Sequence, residues 1–113
     1  MSAPQINTDQ WLQAAKYRRT VYGLKDTSAV SDSRIEEIVS QVISFTPSSY
    51  NTQPGRVSLL LGEKHKQFWD VVIEAAEPVL KPIPGVWDAM GPRFQAFKGA
   101  YGSVWPTPPL FLS

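Results

Sequence analysis

The sequence predicts an α+β fold, with helices packed against a sheet. Three observations carry this. Ile35, Ile38, Val39, Val42 and Ile43 recur at the spacing of one helix face. Val57 to Leu61 is a short apolar run, rich in strand-forming residues, that ends at Gly62. Phe68, Trp69, Val72, Ile73 and Ala76 then form a second helical stripe.

Each element has its own local chemistry. A first helix is expected to start at Asn7. Gln10, three residues on, completes a capping box, and Asp9 suits the positive end of the helix dipole. Trp11, Leu12, Ala14 and Ala15 follow, then the cations Lys16, Arg18 and Arg19. The second helix starts after Ser31 or Ser33, the latter having capping-box spacing to Glu36. Its stripe should be buried. It stops near Phe45, because Thr46 precedes Pro47 and is steered out of the helical region.

Residues 47–56 read as a loop, and 57–61 as a buried strand. The third helix is expected over 63–77, with Pro78 as its limit. Residues 81–92 hold Pro82, Pro84, Gly85 and Pro92 and should be irregular or only briefly helical. Residues 100–104 look like the beginning of a second strand. From Trp105 to Ser113 the sequence reads WPTPPLFLS, too dense in proline for a central strand. Residues 1–104 are therefore taken as one unit and 105–113 as a divergent proline-rich tail. That tail fits a coding sequence diverted from its frame or splice pattern, or an extended polyproline-type segment.

Composition narrows the function. A chain of 113 residues makes one modest domain. Four Trp, four Tyr and five Phe are a large apolar load, which needs a core, a ligand or a partner to cover it. A net charge of +1 gives no general case for nucleic-acid or membrane binding. With no Cys, the chain has no disulfide, Cys-ligated zinc, iron–sulfur cluster or thiol nucleophile, and one His cannot make a multi-His metal site. Residues 1–9 lack the pattern of a secretory signal, and no stretch approaches the ~20 apolar residues of a membrane span. An intracellular location is expected.

Two motifs could carry chemistry. Arg18, Arg19 and Thr20, at a helix end, offer forked donors and charge to a phosphate. They are equally what a helix C-terminus attracts through its dipole. The loop Pro47-Ser48-Ser49-Tyr50-Asn51-Thr52-Gln53-Pro54 can set neutral donors and acceptors against a heteroaromatic ring, or can simply be a turn using Ser and Asn locally. His65, between Lys64 and Lys66, is expected to be solvated; Glu36 and Glu37 are expected at the surface. Phe68 and Trp69 belong to the core stripe.

Taken together, Arg-Arg-Thr after the first helix, an amphipathic helix, and PSSxNxQP before a strand resemble the nitroreductase family. SDSRIEEIV at 31–39, RVSLLLGEKHKQFWD at 56–70 and AFKGAYGSV at 96–104 look like its fungal branch. The resemblance runs from Asp9 to Val104. It implies an α+β homodimer with FMN at the subunit interface, which passes hydride from NADH or NADPH through the flavin to nitroaromatics, quinones or similar acceptors. By motif match, Arg18, Arg19 and Thr20 would hold the FMN phosphate. Pro47, Ser48, Ser49, Asn51 and Gln53 would approach the isoalloxazine ring from the partner subunit, and Arg56 would contact phosphate or ribityl chain. No catalytic side chain is implied, because flavin carries the chemistry. Many members have Trp after the Gln-Pro pair, where this chain has Gly55. The family's C-terminal half is not identifiable here, so the sheet should be incomplete. The alternative is a catalytically silent fragment that heterodimerises with a complete relative.

Overall fold

A computed structural model describes residues 3–107. Its elements, in chain order, are α1 (Thr8–Tyr17), α2 (Asp32–Phe45), a single 3-10 turn (Ser49–Asn51), β1 (Arg56–Leu61), α3 (Glu63–Leu80), α4 (Val86–Lys98) and β2 (Gly102–Thr107). The α+β reading holds: β1 and β2 form a two-stranded antiparallel sheet with helices against it.

The core lies where α3 and α4 pack together on the sheet. Trp69 is its hub, with ring centroids 5.4 Å from Phe97, 5.6 Å from Trp105, 6.1 Å from Phe94 and 6.4 Å from Phe68. Tilted and edge-on aromatic pairs at these separations are favourable beyond the area they bury. An ion pair between Lys98 and Asp70, at 2.5 Å, adds a polar tie between α4 and α3.

Local chemistry sets several boundaries as expected. Asn7 caps α1 with the full capping box: its side chain accepts from Gln10 N at 2.8 Å, and Gln10 Oε1 accepts from Asn7 N. Ser31, rather than Ser33, caps α2 by accepting from Arg34 N. Thr46 ends α2 in an extended conformation ahead of Pro47.

Two helices are longer than their prolines predict. α3 runs through Pro78 to Leu80, and α4 contains Pro92. Each proline lies on the exposed face, one turn after the exposed residues Glu74 and Asp88, whose carbonyls lose a donor. Water can satisfy those carbonyls, and the Phe94 and Phe97 contacts to Trp69 offset the proline penalty in α4.

β2 continues three residues past Val104, through Trp105, Pro106 and Thr107. Gly62 N donates to Tyr101 O at 3.0 Å, and hydrogen-bonded positions then recur every second pair along the register. Pro106, opposite Val57, falls between them, so its missing donor faces away from β1 and costs the sheet nothing. Residues 108–113 of the expected proline-rich tail lie outside the described residues.

The stripe on α2 is a correction. It was expected to be buried, yet α2 holds no buried residue, and Ile38 and Val42 are 44% and 57% exposed. α1 likewise buries nothing. The radius of gyration is 18.0 Å, against about 13 Å for a compact domain of this length. The amphipathic pattern is real: Ile35 and Val39 are half-buried where α2 meets β1, and the rest of the stripe is left exposed.

His65 is a second correction. It is the most deeply buried side chain described, at 1% exposure, and not a solvated one. Its ring is held by Ser103 and by the last carbonyls of α4.

Candidate functional site

The segment between α2 and β1 folds over a cleft of about 620 Å³. Ile43, Ser44, Thr46, Pro47 and Ser48 line one side, and Gln53, Pro54, Gly55 and Arg56 the other. α2 supplies the first wall up to its C-cap, and β1 begins at Arg56. The site is thus built where a helix ends and a strand starts.

The loop holds its shape through short local bonds. Ser48 Oγ accepts from Gln53 N at 2.9 Å, closing the loop. Thr52 Oγ1 donates to Ser49 O at 3.0 Å, and Asn51 N to Ser48 O at 3.0 Å. Tyr50, Asn51 and Gln53 have φ of 54°, 54° and 50°. Left-handed backbone at non-glycine residues costs of order 1–3 kcal/mol each and gathers at binding sites. Asn tolerates it best, whereas Tyr50 has no local compensation and its side chain is fully exposed.

The donors and charges in the cleft are specific. Arg56 spends Nη1 on Gln53 O (3.3 Å) and Gly55 O (3.0 Å), which fixes its guanidinium at the rim. Thr46 Oγ1 and Ser44 Oγ are tied to the α2 carbonyls of Val42 and Ser40, at 2.5 and 2.8 Å. The cleft therefore offers one cation, the Gln53 amide and an apolar floor from Ile43, Pro47 and Pro54. Such a surface suits a flat, polar-edged ring with an anionic tail better than a small ion. Among the described residues, no group of three or more His, Asp and Glu side chains could hold a metal.

Of the residues singled out in the sequence, Pro47, Ser48, Gln53 and Arg56 come together on the cleft. Ser49 and Asn51 belong to the loop without lining it. Arg18, Arg19 and Thr20 are also not among its lining residues. Arg18 Nη1 reaches Thr20 Oγ1 at 3.5 Å, while Arg19 Nη1 turns back to Arg18 O at 2.9 Å and to Lys16 O. Pro54 closes the expected loop, whereas Ile43, Ser44, Thr46 and Gly55 were not foreseen as lining residues. Ile43 could have been, as the last member of the α2 stripe before the loop.

One titrating group elsewhere is perturbed. Tyr101 donates to the Asp32 carboxylate, and this bond, then partial loss of hydration, then the carboxylate charge hold its phenol above the usual tyrosine range.

The fold is shared with known proteins. The structure is similar to the nitroreductase CinD from Lactococcus lactis solved with nicotinic acid, with a TM-score of 0.70 and 21% identity, over 87% of this chain and 48% of that one. That likeness shows the fold. A nitroreductase from Saccharomyces cerevisiae superposes with a TM-score of 0.63 at 28% identity, over 87% of this chain and 52% of that one. In sequence, HBN1 and FRM2 of Saccharomyces cerevisiae, both bearing nitroreductase names, are 38% and 33% identical over 69 and 70 residues, or 59% and 60% of this chain. The aligned region covers 36% of each of these relatives. The model of the nitroreductase family matches residues 15–84, a span that holds both the Arg-Arg-Thr triplet and the whole cleft loop. By that match, this chain belongs to the nitroreductase family.

Proposed function

We propose that this chain carries part of an FMN site of a nitroreductase-type oxidoreductase, which moves hydride from NADH or NADPH to a nitroaromatic, quinone or similar acceptor. The cleft between α2 and β1 carries the reading. Its apolar floor and the Gln53 amide would take the edge and face of the isoalloxazine ring, and Arg56 would meet the ribityl chain or phosphate. Bound FMN would supply the redox chemistry. The protein's own task is to bind it, orient it and exclude water. The CinD structure with 4-nitrophenol is consistent with small nitroaromatic acceptors.

The second part of the proposal is that two chains share the site. Arg18, Arg19 and Thr20 suit a phosphate, yet do not line the cleft of their own chain. A site that joins the triplet of one subunit to the loop of its partner reconciles both facts. The exposed α2 stripe supports association, and so does the outer edge of β1, where Val57 and Leu59 turn their backbone groups away from β2.

Titration of FMN into the full chain, followed by flavin fluorescence, tests the reading. Saturable quenching that Arg18→Ala, Arg19→Ala and Arg56→Ala each weaken is expected. Absence of quenching would refute it. Tight flavin binding by a strict monomer, seen by light scattering, would refute the sharing. The same exposed α2 face favours one further reading, a catalytically silent chain that pairs with another family member. Association with a complete relative and no NADH oxidation would establish that reading in place of the first.

A further inference from the structure

The chain's single histidine is not used by the cleft, yet it is the most buried of the described side chains. Its surroundings determine where its protons lie. Nε2 is 3.0 Å from Phe97 O and 3.2 Å from Lys98 O. A carbonyl oxygen can only accept, so Nε2 carries hydrogen and shares it between the two. On the other side, Nδ1 is 2.7 Å from Ser103 Oγ. That oxygen also lies 3.1 Å from Trp69 Nε1, and an indole N–H can only donate. With the hydrogen of the neutral ring on Nε2, Nδ1 is the acceptor, and Ser103 Oγ, which accepts from Trp69, donates its one hydrogen to it.

The bonds form a single directed chain: Trp69 to Ser103, Ser103 to His65, His65 to the end of α4. Every polar atom in it is satisfied, and every donor points the same way. Moving the hydrogen of the neutral ring to Nδ1 would leave Nε2, then an acceptor, facing two carbonyl oxygens.

We propose that His65 is a directional latch, held as the Nε2–H tautomer, that fastens the end of α4 and the start of β2 onto α3 as one cooperative unit. Three elements meet at this ring. His65 and Trp69 stand one turn apart on α3; Phe97 and Lys98 close α4; Ser103 is the second residue of β2. The ring also donates to two carbonyls at the α4 C-terminus, where intrahelical donors run out; Phe97 O accepts from Ala100 N as well, at 3.1 Å. β2 is the one strand paired with β1 among the described residues, and β1 starts at the rim of the cleft. Through Ser103 and its pair Leu60, the latch sets where that sheet sits.

The test needs no resonance assignment, because there is one histidine. The ring of the ¹⁵N-labelled full chain is observed by long-range proton–nitrogen correlation at neutral pH. The expected pattern is a protonated Nε2 and a bare Nδ1. An Nδ1–H tautomer, or one averaged signal for both nitrogens, overturns the proposal with no variant needed. Ser103→Ala should move the Nδ1 signal and speed amide exchange from Gly99 to Val104 by about tenfold or more, whereas Trp69→Phe should preserve the tautomer. Ser103→Thr, which keeps the hydroxyl, should restore slow exchange. Equal exchange in the wild type and Ser103→Ala would refute the latch.

Discussion

Tyr101 donates its phenolic hydrogen to the carboxylate of Asp32, 69 residues earlier in the chain. Asp32 opens α2, and Tyr101 immediately precedes β2. α2 has no buried residue, so this bond is one of few fastenings between it and the packed part of the molecule.

The same bond gives a pH dependence of fixed sign. The neutral phenol can donate to Asp32; the phenolate cannot, and it repels the carboxylate. The folded state thus holds the Tyr101 proton more tightly than the unfolded chain does. The contribution is fully present below the unfolded tyrosine value of about 10 and is lost as pH rises through the higher folded value. Tyrosinate absorbance should show one tyrosine titrating late, and Asp32→Asn should bring it back toward its fellows. The stability difference between wild type and Tyr101→Phe should shrink as the solution becomes strongly alkaline. A Tyr101 titration unchanged by Asp32→Asn would contradict the bond.

Gly102 is the tightest glycine of the sheet. A Cβ there would stand 2.5 Å from Leu61 Cδ2 and 2.8 Å from Leu60 O. The leucine methyl can turn, but the carbonyl belongs to the paired strand and cannot move without disturbing the ladder. Gly102→Ala should destabilise the fold by about 1–3 kcal/mol, read from the midpoint of denaturant unfolding. Gly55→Ala is the control, because nothing lies within 4 Å of a Cβ there. Equal midpoints for the two variants would contradict the close approach.

The capping box of α1 should matter only locally. Asn7→Ala removes the acceptor for Gln10 N and should cost about 1 kcal/mol of helix stability. α1 buries nothing, so that loss has no route into the core. Amide exchange should quicken across Thr8–Tyr17 and stay unchanged in α3 and β2. Concerted loss of protection in both regions would show that α1 is coupled to the rest.

What was legible in the sequence was local chemistry. Asn7 with Gln10, Ser31 before a stripe, and Thr46 before Pro47 each act on residues within a turn, so their effect can be read from spacing. The cleft loop was legible for the same reason, since prolines and short polar side chains mark it at Pro47 and Pro54. His65 was not, because its partners Phe97, Lys98 and Ser103 are more than thirty residues away. Its polar neighbours Lys64, Lys66 and Gln67 suggested solvent, although its place four residues before Trp69 put it on the packed face. α4 was hidden by Pro92, whose penalty is outweighed by aromatic contacts that only the tertiary fold brings together. The α2 stripe misled in the other direction: periodicity reports an apolar face and not what covers it.

Trp69 provides the sharpest test of where stability resides. Its indole meets four aromatic rings and also donates to Ser103, so truncation removes the hub of the core and the first donor of the His65 relay together. Trp→Ala at a buried site costs about 3–5 kcal/mol, against a total of ~5–15 kcal/mol for an intact domain. Trp69 and Ala100 are the buried apolar residues among those described, so the reserve is small. Trp69→Ala should therefore abolish the cooperative unfolding transition or shift it to far lower denaturant. Phe45→Ala, at a ring 81% exposed, should change the midpoint by no more than about 0.5 kcal/mol. If Phe45→Ala proved as damaging as Trp69→Ala, the end of α2 would have to be covered in solution, and stability would depend on chain concentration.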